Sequence, residues 1–236
     1  MYHYLPHCAF AFTLLVSSQA CSQVDESRRE IKHIRGSVYQ VQDDNNTFTA
    51  FLVTPAGIIL TDPINTRTAK WLKPELDRRF GVPVRYLVYS NAIEHNGGAE
   101  VYEDAIIIAQ ANLPAALKRD DNPALVPHLT FSKHMTIRLG GGQVDLVALG
   151  KGRDNNAIAV HFPAERVVLA VDSLWINRVA YRSIDGPNNY FPEWIDAVQL
   201  IEGLDFDIVL AAHGNPGTGS GAIGDKSDVT EFRQYL

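Results

Sequence analysis

This chain has almost no cysteine, no long apolar run and no excess of positive charge. The 236 residues include only two cysteines, Cys8 and Cys21, so an extensive disulfide framework is excluded. The formal net charge of −6 argues against a nucleic-acid-binding protein, which normally carries a basic face. No apolar run is long enough to span a bilayer as a helix of the mature chain. The length suits one globular α/β domain with a substantial core.

The first twenty residues differ from the rest because they contain no Lys, Arg, Asp or Glu. A short apolar segment, residues 9–16, precedes Ser18-Gln19-Ala20, which has small residues where a signal peptidase cleaves. The sequence therefore predicts a signal peptide over residues 1–20, a linker over 21–34 and one domain over 35–236. Cys21 also resembles the lipidated cysteine of a bacterial lipoprotein. We expect export to the bacterial periplasm or a lipid tether to the membrane, the alternative being an over-long start of the chain.

Strand and helix patterns alternate through the remaining sequence. Helical spacing of apolar residues predicts helices over 66–80, 113–119, 194–204 and 228–236. Alternating or continuous apolar runs predict strands over 36–42, 49–54, 58–62, 85–89, 105–109, 135–139, 144–149, 157–162, 167–172 and 208–212. Hairpins followed by helices, twice over, indicate an α+β fold: a four-layer αββα sandwich of two mixed sheets with outer helices.

Polar segments with chemically useful side chains follow four of these strands. They are residues 91–98, which end on Gly97-Gly98, residues 150–156, Asp172 after its strand, and His213-Gly214. In a sandwich of this kind, strand ends at one rim face a shared cleft. The sequence therefore predicts a site at that rim.

These segments, with residues 52–62 and 161–172, resemble the metallo-β-lactamase superfamily over most of residues 35–236. The resemblance implies two metal sites, with ligands from a His-x-His-x-Asp-His loop and from later strand ends. The first-site positions here hold Asn91, a one-residue deletion and Arg153, so that site is degenerate. The second-site positions hold four residues with ligand-type side chains: Glu94, His95, Asp172 and His213.

The resemblance implies at most one metal ion, either zinc or iron, although a chain with no metal is also consistent with the degenerate loop. An active protein would be a metallo-hydrolase using metal-bound hydroxide against a carbonyl substrate such as a β-lactam, lactone, thioester or other ester. No side chain is an obvious general base. The alternative is an inactive relative that binds a small ligand or a partner in the old cleft.

Several candidates also have plain structural interpretations. Asp172 and His213 could simply belong to turns, and Asp62 is expected to support the loop more than to touch a metal. Trp175 is the best aromatic candidate for the cleft because it follows Asp172. Arg153 could place a fixed cation in the vacant first site and offset neighbouring carboxylates.

Overall fold

The computed structural model describes residues 29–91, 95–152, 154–178, 190–214 and 222–236. Thirteen strands and four α-helices lie in these ranges. The strands are β1 (Glu30–Arg35), β2 (Val38–Gln42), β3 (Phe48–Thr54), β4 (Gly57–Thr61), β5 (Val84–Val88), β6 (Ile106–Gln110), β7 (Leu129–Phe131), β8 (His134–Leu139), β9 (Gly142–Ala148), β10 (Ile158–Phe162), β11 (Val167–Ala170), β12 (Ile208–Ala211) and β13 (Ile223–Gly224). The helices are α1 (Thr66–Phe80), α2 (Leu113–Arg119), α3 (Phe191–Glu202) and α4 (Lys226–Tyr235), and a short 3-10 helix covers Ala99–Tyr102.

The strands form two mixed sheets. The first runs in the order β1 to β7, antiparallel up to β4 and parallel from β4 to β7. The second has the order β13-β12-β11-β10-β9-β8, in which only β11 and β12 are parallel. The predicted mixture of antiparallel and parallel pairs is therefore confirmed.

Successive side chains of each central strand point to opposite faces of its sheet, and this alternation divides the core into layers. In β3, Phe51 packs with α1 residues such as Leu72, whereas Leu52 faces the second sheet and packs with Leu146. On the far side of the second sheet, Ala159 packs under α3 and α4. Because one face of each sheet meets the other sheet and the opposite face meets helices, the four-layer αββα sandwich is confirmed.

Helix α1 shows how local sequence sets an element. The Asn65 side chain accepts a hydrogen bond from the Thr68 amide over 2.9 Å, which caps the first turn. Gly81 ends the helix with a left-handed φ of 65°. The observed bounds, Thr66–Phe80, match the predicted ones. At 15 residues, α1 is the longest helix of the described ranges, and none of those helices could cross a bilayer.

The first sheet begins earlier than the sequence predicts. Strand β1 starts at Glu30, inside the segment assigned to the linker over 21–34, and pairs with β2. It is an edge strand in which Ile31 alone is buried, so it lacks the apolar alternation that reveals a strand. The predicted signal peptide over residues 1–20 and Cys21 lie outside the described residues.

Candidate metal centre

Two backbone hydrogen bonds join the sheets at the rim where β5 and β12 end. The Ile158 amide donates to the Ser90 carbonyl over 2.9 Å, and the Phe48 amide donates to the Ala212 carbonyl over 2.7 Å. Asn91 and His213 are the next residues after these two carbonyls. Their positions are therefore fixed by contacts between the sheets, although each sits in a loop.

Three of the predicted ligands converge at this rim. Nε2 of His95 lies 3.3 Å from Oδ2 of Asp172, and Nε2 of His213 lies 2.8 Å from Oδ1 of the same carboxylate. The imidazole rings are 5.2 Å apart between centroids, tilted by 48°. One ligand atom from each of the three residues lies within 4.8 Å of the others. The structure thus brings three of the four predicted ligand residues into one cluster.

Asp172 is held at the cluster by an unusual backbone conformation. Its φ is +55°, in the left-handed region that non-glycine residues rarely adopt. The Ser173 amide donates to the Val171 carbonyl over 2.7 Å, and the Trp194 indole Nε1 donates to the Ser173 carbonyl over 3.0 Å. Because Trp194 is buried in α3, the turn that carries Asp172 is tied to the outer helix layer. Strained residues of this kind concentrate at functional sites.

The loop that carries His95 is tied to the start of α1. The Ile64 amide donates to the His95 carbonyl over 2.8 Å. Gly98 has a φ of +98°, and a Cβ atom there would lie 2.7 Å from the Cβ of Ala69. The second glycine of the pair is therefore required for both its backbone angle and its close packing.

Asp62 supports the loop from below, as expected. It is 1 % exposed, and its Oδ1 accepts the Ser90 amide over 2.9 Å. Burial raises the pKa of Asp62 to about 6, and the charge of His95 and the Ser90 hydrogen bond only partly oppose that effect. Its second oxygen has no hydrogen-bond partner among the described residues. Asp62 therefore supports the loop from a buried position and does not belong to the cluster of His95, Asp172 and His213.

The structure corrects the prediction for Trp175. Its side chain is buried on the outer face of the second sheet, 5.9 Å from both the Trp194 and the Phe232 ring centroids. The left-handed turn at Asp172 redirects the chain, so a residue three positions later points into the helix layer and away from the cleft. The predicted ligand Glu94 and the predicted first-site residue Arg153 both lie outside the described residues.

One contact at the site was not predicted from the sequence. Asn91, at a degenerate first-site position, is fully buried, and its Nδ2 donates to Oδ2 of Asp172 over 3.3 Å. Its own carbonyl accepts the Asn96 side chain over 2.6 Å. The sequence could not reveal this contact, because Asp172 lies 81 positions from Asn91.

The residues present fit a metal ion. Ligand atoms around a tetrahedral ion with bonds of about 2.1 Å lie roughly 3.4 Å apart. The two imidazoles meet different oxygens of the Asp172 carboxylate, at 3.3 and 2.8 Å, and one ligand atom from each of the three residues lies within 4.8 Å of the others, so small side-chain adjustments would bring three ligand atoms to that spacing. Two imidazoles and a carboxylate also form a donor set that suits zinc or iron. The three described residues therefore form a candidate metal centre.

Comparisons with solved structures agree with this architecture. A metallo-β-lactamase from Pontibacter korlensis superposes with a TM-score of 0.75 at 16 % identity, covering 89 % of this chain and 100 % of that one. The metallo-β-lactamase IND-7 superposes with a TM-score of 0.71 at 16 % identity, covering 90 % of this chain and 100 % of that one. The chain has the metallo-β-lactamase fold.

Sequence comparison finds a relative with a named activity, but over a smaller share of this chain than the solved structures cover. No family profile matches the chain. The α subunit of the 2,4-dinitroanisole O-demethylase of Nocardioides sp. (strain JS1661) is 24 % identical over 188 residues, which are 76 % of this chain. The match covers 56 % of that protein, so the chain spans little more than half the length of this curated relative.

Proposed function

We propose that this protein binds one metal ion, zinc or iron, through His95, Asp172 and His213, with Glu94 as a fourth ligand, and hydrolyses a carbonyl substrate. The observation that carries the proposal is the convergence of two imidazole Nε2 atoms on the single buried carboxylate of Asp172. Within the described residues, this is the one group of three ligand-type side chains with metal-like spacing. The substrate classes are those of the fold: β-lactams, lactones, thioesters and other esters.

The protein's own contribution is to fix the ligands and to limit water. A bound metal ion supplies Lewis-acid chemistry, lowering the pKa of a coordinated water and polarising the substrate carbonyl. The two imidazoles would hold it through nitrogen atoms, and the carboxylate of Asp172 would offset its charge. Asp172 is 3 % exposed and His95 is 6 % exposed, whereas the His213 side chain is 32 % exposed. The open side of the site is therefore at His213.

The curated relative widens the set of substrates worth testing. It is the α subunit of an enzyme named for the O-demethylation of 2,4-dinitroanisole, a nitroaryl methyl ether. Cleavage of such an ether would differ from attack on a carbonyl: hydroxide would attack the methyl carbon, the bond between that carbon and the ether oxygen would break, and the dinitrophenolate would leave with methanol as the other product. We therefore include an activated aryl methyl ether beside the carbonyl compounds in the proposed substrate range.

A second candidate function is binding without catalysis. The specific observation in its favour is that the first-site positions hold Asn91, a one-residue deletion and Arg153, so a whole metal site is lost and not a single ligand. In that case the cleft at the rim of the two sheets holds a small ligand or a partner, and no turnover occurs. Metal content alone does not separate this candidate from an enzyme.

The test has two stages. Purified protein is first analysed for zinc and iron, and about one equivalent per chain is expected. Metal-loaded protein and an Asp172→Ala variant are then assayed against a panel of lactam, lactone, thioester, ester and aryl methyl ether substrates. Turnover by wild type alone supports the hydrolase. Bound metal without turnover of any panel member favours the binding protein.

We also propose that the protein is exported to the bacterial periplasm or tethered there through Cys21. The uncharged apolar start of the chain and the small residues before Cys21 support this proposal. Fractionation of expressing cells with wild type and Cys21→Ser tests it. Loss of membrane association in the variant supports lipidation, periplasmic recovery of both forms supports simple export, and cytoplasmic recovery of both contradicts the proposal.

A further inference from the structure

Asn91 stands where the metallo-β-lactamase resemblance places a histidine ligand, yet it touches a second-site residue. Its Nδ2 atom donates to Oδ2 of Asp172 over 3.3 Å, and the side chain is fully buried. We propose that Asn91 is a positioning residue for the metal centre: its amide holds the Asp172 carboxylate in the orientation that metal binding requires. This inference rests on the proposed function, because it presumes that Asp172 ligates a metal.

The backbone that presents this amide is fixed on both sides. The neighbouring Ser90 donates its amide to Asp62 over 2.9 Å, and its carbonyl accepts the Ile158 amide over 2.9 Å. The carbonyl of Asn91 itself accepts Nδ2 of Asn96 over 2.6 Å. Because these contacts already order the segment, the side-chain amide meets Asp172 with little further loss of conformational entropy.

The geometry around the carboxylate explains what the amide does. Oδ1 of Asp172 lies 2.8 Å from His213 Nε2, whereas Oδ2 lies 3.3 Å from His95 Nε2. Rotation of the carboxylate about its Cβ–Cγ bond would disturb both distances. A hydrogen bond from Asn91 to Oδ2 opposes that rotation, as outer hydrogen bonds to metal-ligating carboxylates commonly do.

An amide suits this position better than a charged donor would. Asparagine donates without a positive charge, so it does not repel a bound cation. A lysine or arginine at the same place would hold the carboxylate equally well but would compete electrostatically with the metal. The replacement at position 91 therefore removes one ligand of the first site while supporting a ligand of the second.

The test measures metal affinity directly. Zinc dissociation constants are determined by competition with a chromophoric chelator for wild type, Asn91→Leu and Gln110→Leu. Leucine keeps the branched shape of the asparagine side chain but is larger and removes both its donor and its acceptor. Gln110 is a matched control, because it is a buried amide, 7 % exposed, that donates to the Ser132 carbonyl over 3.2 Å. The Co²⁺ absorption spectrum of each protein reports the ligand geometry, and the melting temperature of metal-free protein reports the fold.

We expect about 10- to 100-fold weaker zinc binding and a shifted Co²⁺ spectrum for Asn91→Leu, with both unchanged for Gln110→Leu. An Asn91→Ser variant, which keeps a shorter donor, should fall between wild type and Asn91→Leu and serves as the test if the leucine variant does not fold. Wild-type affinity and spectrum in the Asn91 variants would overturn the positioning role and leave the metal centre intact. A wild-type protein that binds no zinc, iron or cobalt would overturn both proposals.

Discussion

Nε2 of His213 lies 2.8 Å from Oδ1 of Asp172, although the two residues are 41 positions apart in the chain. Asp172 follows β11 and His213 follows β12, and these two strands are parallel neighbours. Their ends therefore meet at one rim. His95 reaches the same carboxylate from the other sheet, so the centre depends on how the two sheets face each other.

Removal of the shared carboxylate tests the ligand assignment. In Asp172→Asn the amide keeps the shape of the side chain but loses the charge that offsets a bound cation. We expect zinc affinity to fall by at least about 100-fold, because loss of a ligand should exceed loss of an outer hydrogen bond. Chelator competition measures the change. Asp145→Asn, whose carboxylate instead binds Thr136 and Gln143, should retain wild-type affinity.

Asp62 predicts an unusual pH dependence of stability in metal-free protein. Its pKa is raised from 3.8 to about 6, so between these values the folded state binds more protons than the unfolded state. The free energy of unfolding therefore decreases as pH rises through this window, by about 3 kcal/mol from this group. Asp62→Asn removes that loss and can still accept the Ser90 amide. The variant should exceed wild type in stability at pH 7 and lose this advantage near pH 4.

Urea unfolding of chelator-treated wild type and Asp62→Asn at both pH values checks this expectation. Asp207→Asn, compared with wild type at pH 4 and pH 2, supplies a control of opposite sign, because hydrogen bonds from Arg166 and Arg35 lower the pKa of Asp207 to about 2. Its stabilisation is present above pH 4 and is lost as pH falls toward 2. An identical pH dependence in wild type and Asp62→Asn would contradict the role of Asp62.

Gly98 should tolerate no side chain. In Gly98→Ala the new Cβ would lie 2.7 Å from the Ala69 Cβ and 2.9 Å from the Asn65 backbone, at a φ of +98°. Gly141→Ala is the control, since its φ is +89° but no atom lies within 4 Å of the added Cβ. Both variants carry backbone strain, and only Gly98→Ala adds overpacking, which costs about 1–3 kcal/mol more. Equal destabilisation of the two, measured by urea unfolding, would contradict this packing account.

Trp194 should influence the metal centre without touching it. Trp194→Phe removes the indole donor to the Ser173 carbonyl but keeps an aromatic ring in the core. We expect a loss of about 1–2 kcal/mol in stability and a measurable loss of zinc affinity, because the turn carrying Asp172 is released. Trp175→Phe alters the same aromatic cluster but leaves the hydrogen bond from Trp194 to Ser173 in place. If both variants bind zinc with equal affinity, the Ser173 contact does not position Asp172.

The local sequence was sufficient to predict an element where the element contains its own start, core and stop signals. Helix α1 has a capping Asn65, apolar residues at helical spacing and a terminating Gly81, and its bounds were predicted correctly. Strand β1 has no such pattern, because as an edge strand it buries only Ile31. Its strand state depends on pairing with β2, which is a tertiary property.

The same distinction applies to the site. The resemblance and the strand ends together predicted one cluster of Glu94, His95, Asp172 and His213, and the structure brings its three described members together. The position of Trp175 was predicted incorrectly, since it depends on the left-handed turn at Asp172. The hydrogen bond from Asn91 to Asp172 joins the two sheets, so no local pattern could reveal it.

Metal content of the purified protein, with a His213→Ala variant beside it, tests the central claim most directly. If His95, Asp172 and His213 form a metal centre, wild type should retain about one equivalent of zinc or iron per chain after dialysis. The His213→Ala variant should then retain much less at an unchanged fold. A wild-type protein that holds less than about a tenth of an equivalent, even after incubation with either metal and dialysis, would contradict the account.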